Sequence, residues 1–274
     1  MNVAAIQMTS GPDVEANLAQ AEALLGEAAR RGACLAVLPE NFSFMGLKDA
    51  DKRAVAEADG QGPVQAFLGE VARRLRLWIV AGTIPLRGGA DGRVAAASLV
   101  YDADGRRLAR YDKIHLFDVD LPGRAESYRE SANVAPGSEP VVLDTPVGRL
   151  GLSVCYDVRF PELYRHLSSA GAQLLSVPAA FTAPTGRAHW ETLLRARAIE
   201  NLCYVIAPAQ SGIHPSGRET YGDSMIVDYW GRVLQRVPRG RGCVVAELDL
   251  ARQSAVRAGF PALAHRVPAL AGPR

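Results

Sequence analysis

The feature that most constrains the fold is a repeat: the second half of the chain runs through the same order of segments as the first, with some of the same residues. The stretch "RGACLAVLPE" (31–40) is echoed by "AGAQLLSVPA" (170–179), "LWIVAG" (77–82) by "CYVIAP" (203–208), and "VYDADGRRLAR" (100–110) by "VDYWGRVLQR" (227–236). In the last pair Asp102, Gly105, Arg106, Leu108 and Arg110 align with Asp228, Gly231, Arg232, Leu234 and Arg236 at one constant offset. Between the echoes of the first half lie strand-like runs, "VAAIQM", "CLAVLPE" and "LWIVAGTIP", alternating with the amphipathic stretches "VEANLAQAEALLGEAARRG" and "GPVQAFLGEVARRLR". "AAASLVYDADGRRLARYDK" then reads as a hairpin turning at Ala103-Asp104-Gly105. Two such α/β halves, each needing both faces of its sheet covered, predict two sheets packed face to face with helices outside both, a four-layer α-β-β-α sandwich. No linker rich in Pro, Gly or Ser separates the halves, so residues 1–274 are expected to form one domain.

Bulk properties exclude several function classes. With 31 basic and 29 acidic residues interspersed, a net charge of +2 offers no electrostatic footprint for nucleic acid or an anionic membrane. No run approaches the roughly 20 apolar residues of a membrane span, and "MNVAAIQMTSGPD" lacks a basic region before its short apolar run, so a cytoplasmic location is expected. The four cysteines, Cys34, Cys155, Cys203 and Cys243, are widely spaced with no C-x-x-C pair, and the five histidines show neither H-x-x-x-H nor H-E-x-x-H spacing. No metal site is signalled. Cys34, Cys203 and Cys243 each lie in or beside an apolar run and read as small core hydrophobes.

Cys155 differs in its setting. "GRLGLSVCYDVRFPELYR" reads strand, turn, helix, the helix opening at Pro161 and ending near Gly171. A thiol at a strand end before a helix can be a nucleophile on a rigid support, or simply core filling, and position alone does not separate the two. A thiol needs a base or a cation beside it to react at neutral pH. The candidates are charged residues at strand ends: Glu40 after "LAVLP", Lys113 in "RYDKIHLFD" and Glu130 in "SYRESANVAPG". On spacing alone each reads as a solvated surface charge, although a Glu40 carboxylate buried there would be made basic by desolvation. The segment 111–147 has no counterpart in the first half, and unrepeated loops on a repeated scaffold are where function tends to sit.

In this order, "LPENF", "YDKIHLFDVDLPG", "ESANVAPG" and "GLSVCYDVRFPELYR" resemble the carbon–nitrogen hydrolases of the nitrilase superfamily, and "HWETLLRARAIENLCYVIAPAQSG" with "YGDSMIVDYWGRVL" extend the resemblance over nearly the whole chain. The resemblance implies the α-β-β-α sandwich and a Glu-Lys-Cys triad at Glu40, Lys113 and Cys155, with Glu130 matching a further family glutamate. It implies that Cys155 attacks an amide carbonyl, that Glu40 moves the proton, and that Lys113 with the backbone N–H of Tyr156 stabilises the oxyanion. Glu130 orients Lys113 or the substrate's amino group, and no cofactor takes part. "CYDVRFPELYR", "PAQSG" and "YGDSMIVDYWG" are more similar to the branch acting on deaminated glutathione than to omega-amidases of 2-oxo-acid amides. Omega-amidase, nitrile or N-carbamoyl hydrolysis and an inactive scaffold stand as alternatives. An α/β-hydrolase elbow is excluded because Ser153 and Asp157 stand where G-x-C-x-G needs glycines. Arg159 is expected to bind a substrate carboxylate if it faces the pocket, while Arg195 and Arg197 are read as tying down helices or a subunit interface. Relatives associate through helices near the nucleophile, so a homodimer or larger homo-oligomer is expected around a small-molecule amide substrate, without nucleic-acid or membrane partners.

Overall fold

The computed structural model describes residues 1–88, 91–121 and 126–267; Pro122 and Gly123, which close the 111–123 motif, lie outside the described residues. In the first sheet the strands Asn2–Gln7, Ala33–Val37 and Trp78–Val80 run parallel, with Gly242–Glu247 antiparallel beyond Asn2–Gln7 and Val94–Tyr101 antiparallel beyond Trp78–Val80. In the second, Gly148–Leu152, Leu174–Ser176 and Tyr204–Ala207 run parallel, with Val142–Thr145 and Ser224–Val227 antiparallel on the two sides. Order and direction match over these five strands, so the repeat extends to topology, although the first sheet also carries Ile84–Arg87 and Val134–Ala135 on Val94–Tyr101.

The aligned turn residues do the same work in both halves. Asp102 Oδ1 accepts from the N–H groups of Asp104 and Arg106 at 2.9 and 2.8 Å; Asp228 Oδ1 accepts from Trp230 and Arg232, both at 2.9 Å. Gly105 and Gly231 supply the left-handed residue that each turn needs, with φ of 80° and 83°. These turns close the hairpins Val94–Tyr101/Arg107–Asp112 and Ser224–Val227/Val233–Val237.

Strand periodicity sorts the layers. Along the first sheet Val3, Ala5, Leu35 and Val37 pack in one core with Leu150, Leu152, Val205 and Val227 of the second sheet. Their neighbours Ala4, Ile6, Ala36 and Leu38 instead join Leu25 and Leu68, from helices α1 (Val14–Arg30) and α2 (Pro63–Leu75). Side chains that alternate across a strand thus serve the inter-sheet core and the helix layer in turn. Helices α3 (Pro161–Ser169) and α4 (Ala183–Asn201) cover the second sheet through Leu167, Trp190 and Leu194, which completes the α-β-β-α sandwich. The Asp13 carboxylate caps α1 by accepting from Ala16 N–H at 3.1 Å, and prolines open α2 and α3 at positions that need no N–H.

One expected strand is two. "LWIVAGTIP" breaks into Trp78–Val80 and Ile84–Arg87 around Gly82, whose φ is 51°. A Cβ at Gly82 would lie 1.9 Å from the Pro39 carbonyl oxygen, so the chain bends there against the peptide that precedes Glu40.

Candidate active site

Strand ends from both sheets converge at one point. Glu40 follows Ala33–Val37, Lys113 follows Arg107–Asp112, and Cys155 follows Gly148–Leu152, while Glu130 opens a short 3-10 turn, Glu130–Ala132. Cys155 itself starts a 3-10 turn, Cys155–Arg159, with φ at 48°, a left-handed conformation that costs a non-glycine residue energy and persists only when its surroundings enforce it. The enforcing contacts are visible. Cys155 N–H donates to Pro178 C=O at 2.8 Å, and the buried Asp157 carboxylate accepts from Val154 N–H at 2.8 Å, Tyr111 OH at 2.7 Å and His115 N–H at 3.0 Å, with His115 Nδ1 2.7 Å away. Asp157 therefore clamps the turn carrying the thiol to the segment carrying Lys113. Read from sequence, Asp157 served only to rule out a hydrolase elbow; its structural part had no local signal.

The charged residues form one desolvated unit. Lys113 Nζ donates to Glu40 Oε1 at 2.8 Å and to Glu130 Oε1 and Oε2 at 3.0 and 2.8 Å. Glu40 Oε2 accepts from Ala180 N–H at 2.8 Å, and Glu130 Oε2 also accepts from Phe117 N–H at 2.7 Å. Glu40, Lys113 and Cys155 are 4%, 1% and 7% exposed, so none is the surface charge or solvated thiol that spacing alone permitted.

Their ionisation follows from this enclosure. Burial pushes the Cys155 thiol well above its ordinary value, and the Glu40 carboxylate beside it pushes further, against the opposing pull of Lys113. Burial also pushes Glu40 up, yet the Lys113 charge and hydrogen bond, with a hydrogen bond shared with Cys155, bring it below its ordinary value. This corrects the expectation that burial would make Glu40 basic: the ammonium at 2.8 Å outweighs desolvation. Lys113 loses to burial but gains more from Glu130 and Glu40, ending well above its ordinary value. The resting site is a neutral thiol beside a carboxylate and an ammonium.

The pocket above this unit is walled by the rings of Phe117, Tyr128, Tyr156 and Phe181, and encloses about 500 Å³ including its open mouth. Tyr156, second in the 3-10 turn, carries one of the N–H groups that such a turn leaves without an acceptor of its own. Arg159 does not line the pocket. Its guanidinium lies 5.8 Å from the ring centre of Tyr156 and 5.2 Å from that of Phe181, and 3.4 Å from His189 Nδ1 on α4. Besides Lys113, the cations that line the pocket are Lys52 and Arg218, along with the carboxylate of Asp49, and none of these three carried a sequence signal. Arg197 Nε donates to Val158 C=O at 2.8 Å and Arg195 Nε to Gly231 C=O at 2.8 Å, anchoring α4 to its neighbours. Among the described residues, no group of three or more His, Cys, Asp or Glu is placed to hold a metal ion, and no helix is long and apolar enough to cross a membrane.

The family model for carbon–nitrogen hydrolase matches residues 2–258. A deaminated glutathione amidase of Synechocystis sp. is 48% identical over 267 residues, covering 96% of this chain and 97% of that protein; the Homo sapiens deaminated glutathione amidase is 41% identical over 273 residues, covering 98% and 83%. Among solved structures, the C. elegans NitFhit protein superposes with a TM-score of 0.90 at 41% identity, covering 98% of this chain and 65% of that longer one. Saccharomyces cerevisiae Nit3, a member of the nitrilase superfamily, superposes with a TM-score of 0.85 at 30% identity, covering 95% and 94%. A family model matched over residues 2–258, together with relatives at 41–48% identity over nearly the whole chain, means that the chain belongs to the carbon–nitrogen hydrolase family of the nitrilase superfamily.

Proposed function

We propose that this chain is a thiol amidase acting on a small anionic amide, deaminated glutathione, through a thioester on Cys155. The observation that carries the reading is the buried cluster on the pocket floor, where the Lys113 ammonium donates to the Glu40 carboxylate and the Cys155 thiol lies in the same lining. Glu40 takes the Cys155 proton as sulfur attacks the carbonyl carbon; a thiol this basic is deprotonated only as the bond forms. The oxyanion meets Lys113 and the Tyr156 N–H, each such donor being worth roughly 10²–10³ in rate. Glu40 returns the proton to the departing amine nitrogen, then deprotonates the water that cleaves the thioester, and the regenerated thiol recovers that proton. Glu130 acts by position, since two bonds to Lys113 and one from Phe117 N–H fix where the ammonium points.

The substrate follows from the relatives named deaminated glutathione amidase, whose substrate joins a 2-oxo-acid acyl unit to a cysteinylglycine leaving group. Contacts to that leaving group can be used in the transition state. The kcat/KM for deaminated glutathione, measured as cysteinylglycine release, is expected to exceed that for 2-oxoglutaramate at least about tenfold, or ~1.4 kcal/mol. Equal values, or preference for the smaller amide, would point to an omega-amidase instead. The four thiols unpaired in disulfides suit a reducing, cytoplasmic compartment. The exposed Trp230 in the turn after Ser224–Val227, Ile199 near the end of α4 and Phe260 just beyond α5 (Leu250–Gly259) suit a homo-oligomeric contact, which light scattering would reveal.

A further inference from the structure

The pocket's floor and mouth differ in charge. On the floor Glu40 and Glu130 face Lys113, one net negative charge that repels a carboxylate. At the mouth stand Asp49 and Lys52, which oppose each other on the turn Asp49–Arg53, and Arg218, in the loop between strands Ser211–Ile213 and Glu219–Tyr221. Neither Lys52 nor Arg218 is in an ion pair among the described residues, whereas Lys113 is in two. Arg218 is nonetheless held in place. Its Nη2 donates to Ala180 C=O at 2.8 Å, its guanidinium packs 5.2 Å from the Tyr128 ring centre, and its Nε is buried with no hydrogen-bond partner. Ala180 is the residue whose N–H holds Glu40, so the guanidinium is one residue removed from the base.

A guanidinium that lines the pocket, is fixed by Ala180 and Tyr128 and has no ion pair among the described residues is placed to take an anionic acceptor from outside the protein. We propose that Arg218, seconded by Lys52, binds the substrate's acyl-side carboxylate, the role that sequence adjacency to Cys155 suggested for Arg159. Nη2 keeps a second N–H beside the one given to Ala180, and with Nη1 it can form the planar two-donor edge that a carboxylate accepts in two bonds. Charge sets the orientation: the carboxylate stays at the mouth with Arg218, away from the negative floor, while the scissile carbonyl reaches Cys155 and Lys113. The short link through Ala180 suits an acyl chain of a few carbons rather than the more distant glycine carboxylate of the leaving group. The inference rests on the amidase reading and adds the residue that selects an anionic acyl group.

The test compares parent, Arg218→Gln and Arg218→Lys. For each, kcat/KM is measured on 2-oxoglutaramate and on pentanamide, a neutral amide of the same chain length, and protection of Cys155 from iodoacetamide is measured with 2-oxoglutarate as the probe. Arg218→Gln is expected to lower the anionic-over-neutral preference at least about tenfold, mainly through KM, and to abolish protection at a 2-oxoglutarate concentration that halves alkylation of the parent. Arg218→Lys is expected to recover part of both, since it keeps the charge and loses the fork. An unchanged preference with undiminished protection would overturn the assignment, as would a loss of protection against cysteinylglycine rather than 2-oxoglutarate. If the parent hydrolyses neither amide nor deaminated glutathione, the amidase reading fails on its own, and the protection experiment still decides what Arg218 binds.

Discussion

Replacing Lys113 by methionine keeps a side chain of similar reach and removes the charge that two buried carboxylates share. Lys113 Nζ lies 2.8 Å from both Glu40 Oε1 and Glu130 Oε2. Deleting one partner of a buried ion pair costs about 3–5 kcal/mol, because the remaining charge is left without compensation. In a chain of this size ~1 kcal/mol corresponds to a few degrees, so Tm near neutral pH should fall by roughly 10 °C. The sign of the pH dependence follows from Glu40. In the parent its pKa lies below the ordinary 4.5, so its stabilising contribution is fully present above that pH and is lost as pH falls through the folded value. In the variant desolvation acts unopposed and raises Glu40, so the penalty is full at high pH and disappears as the carboxylate takes up a proton on the way down toward 4.5. Parent and variant should therefore converge as pH is lowered. Scanning calorimetry from about pH 8 to about pH 5 reads this directly. A deficit equal at both ends, or no deficit at all, would refute the claim that Lys113 is held by two ionised carboxylates.

Two further outcomes follow. All four thiols are raised, Cys203 to about 12, Cys243 to about 11, and Cys34 and Cys155 above their ordinary 9.0. Thiolate absorbance near 240 nm should accordingly stay flat up to that pH; a step near neutrality that vanishes in Cys155→Ala would show a preformed ion pair instead. Gly82→Ala drives a Cβ against the Pro39 carbonyl at an initial 1.9 Å and into a left-handed φ, so it should cost about 2 kcal/mol or more and lower kcat by shifting Glu40; a variant that melts and turns over like the parent would contradict this.

The sandwich was legible because its determinants are local. Alternation in "VAAIQM" marks which residues face each layer, and Asp102 with Gly105, or Asp228 with Gly231, build their turns from residues a few positions apart. The site was legible only through the family pattern, since nothing in "LPENF" or "RYDKIH" tells a buried Glu40 or Lys113 from a surface charge. Arg159 shows the limit in the other direction: four residues from the nucleophile, it packs on the rings of Tyr156 and Phe181 and is not in the pocket lining. Arg218, 63 positions beyond Cys155, reaches the pocket because the loop from Ser211–Ile213 to Glu219–Tyr221 folds back over Ala180. Such long-range placement leaves no periodicity or spacing to read. The depressed pKa of Glu40 was likewise hidden, because its sign depends on an ammonium 73 residues away in sequence.

The central claim is a covalent acyl group on Cys155. An activated aryl ester of the substrate's acyl group has a leaving group that departs without the proton an amine requires, so acylation should outrun hydrolysis and the thioester should accumulate. Peptide mass spectrometry after acid quench during turnover of this ester measures it. The account predicts the acyl mass on the peptide containing Cys155, removed by hydroxylamine; ester turnover with all four thiols unmodified, or with the acyl group on Cys34, Cys203 or Cys243, would contradict it.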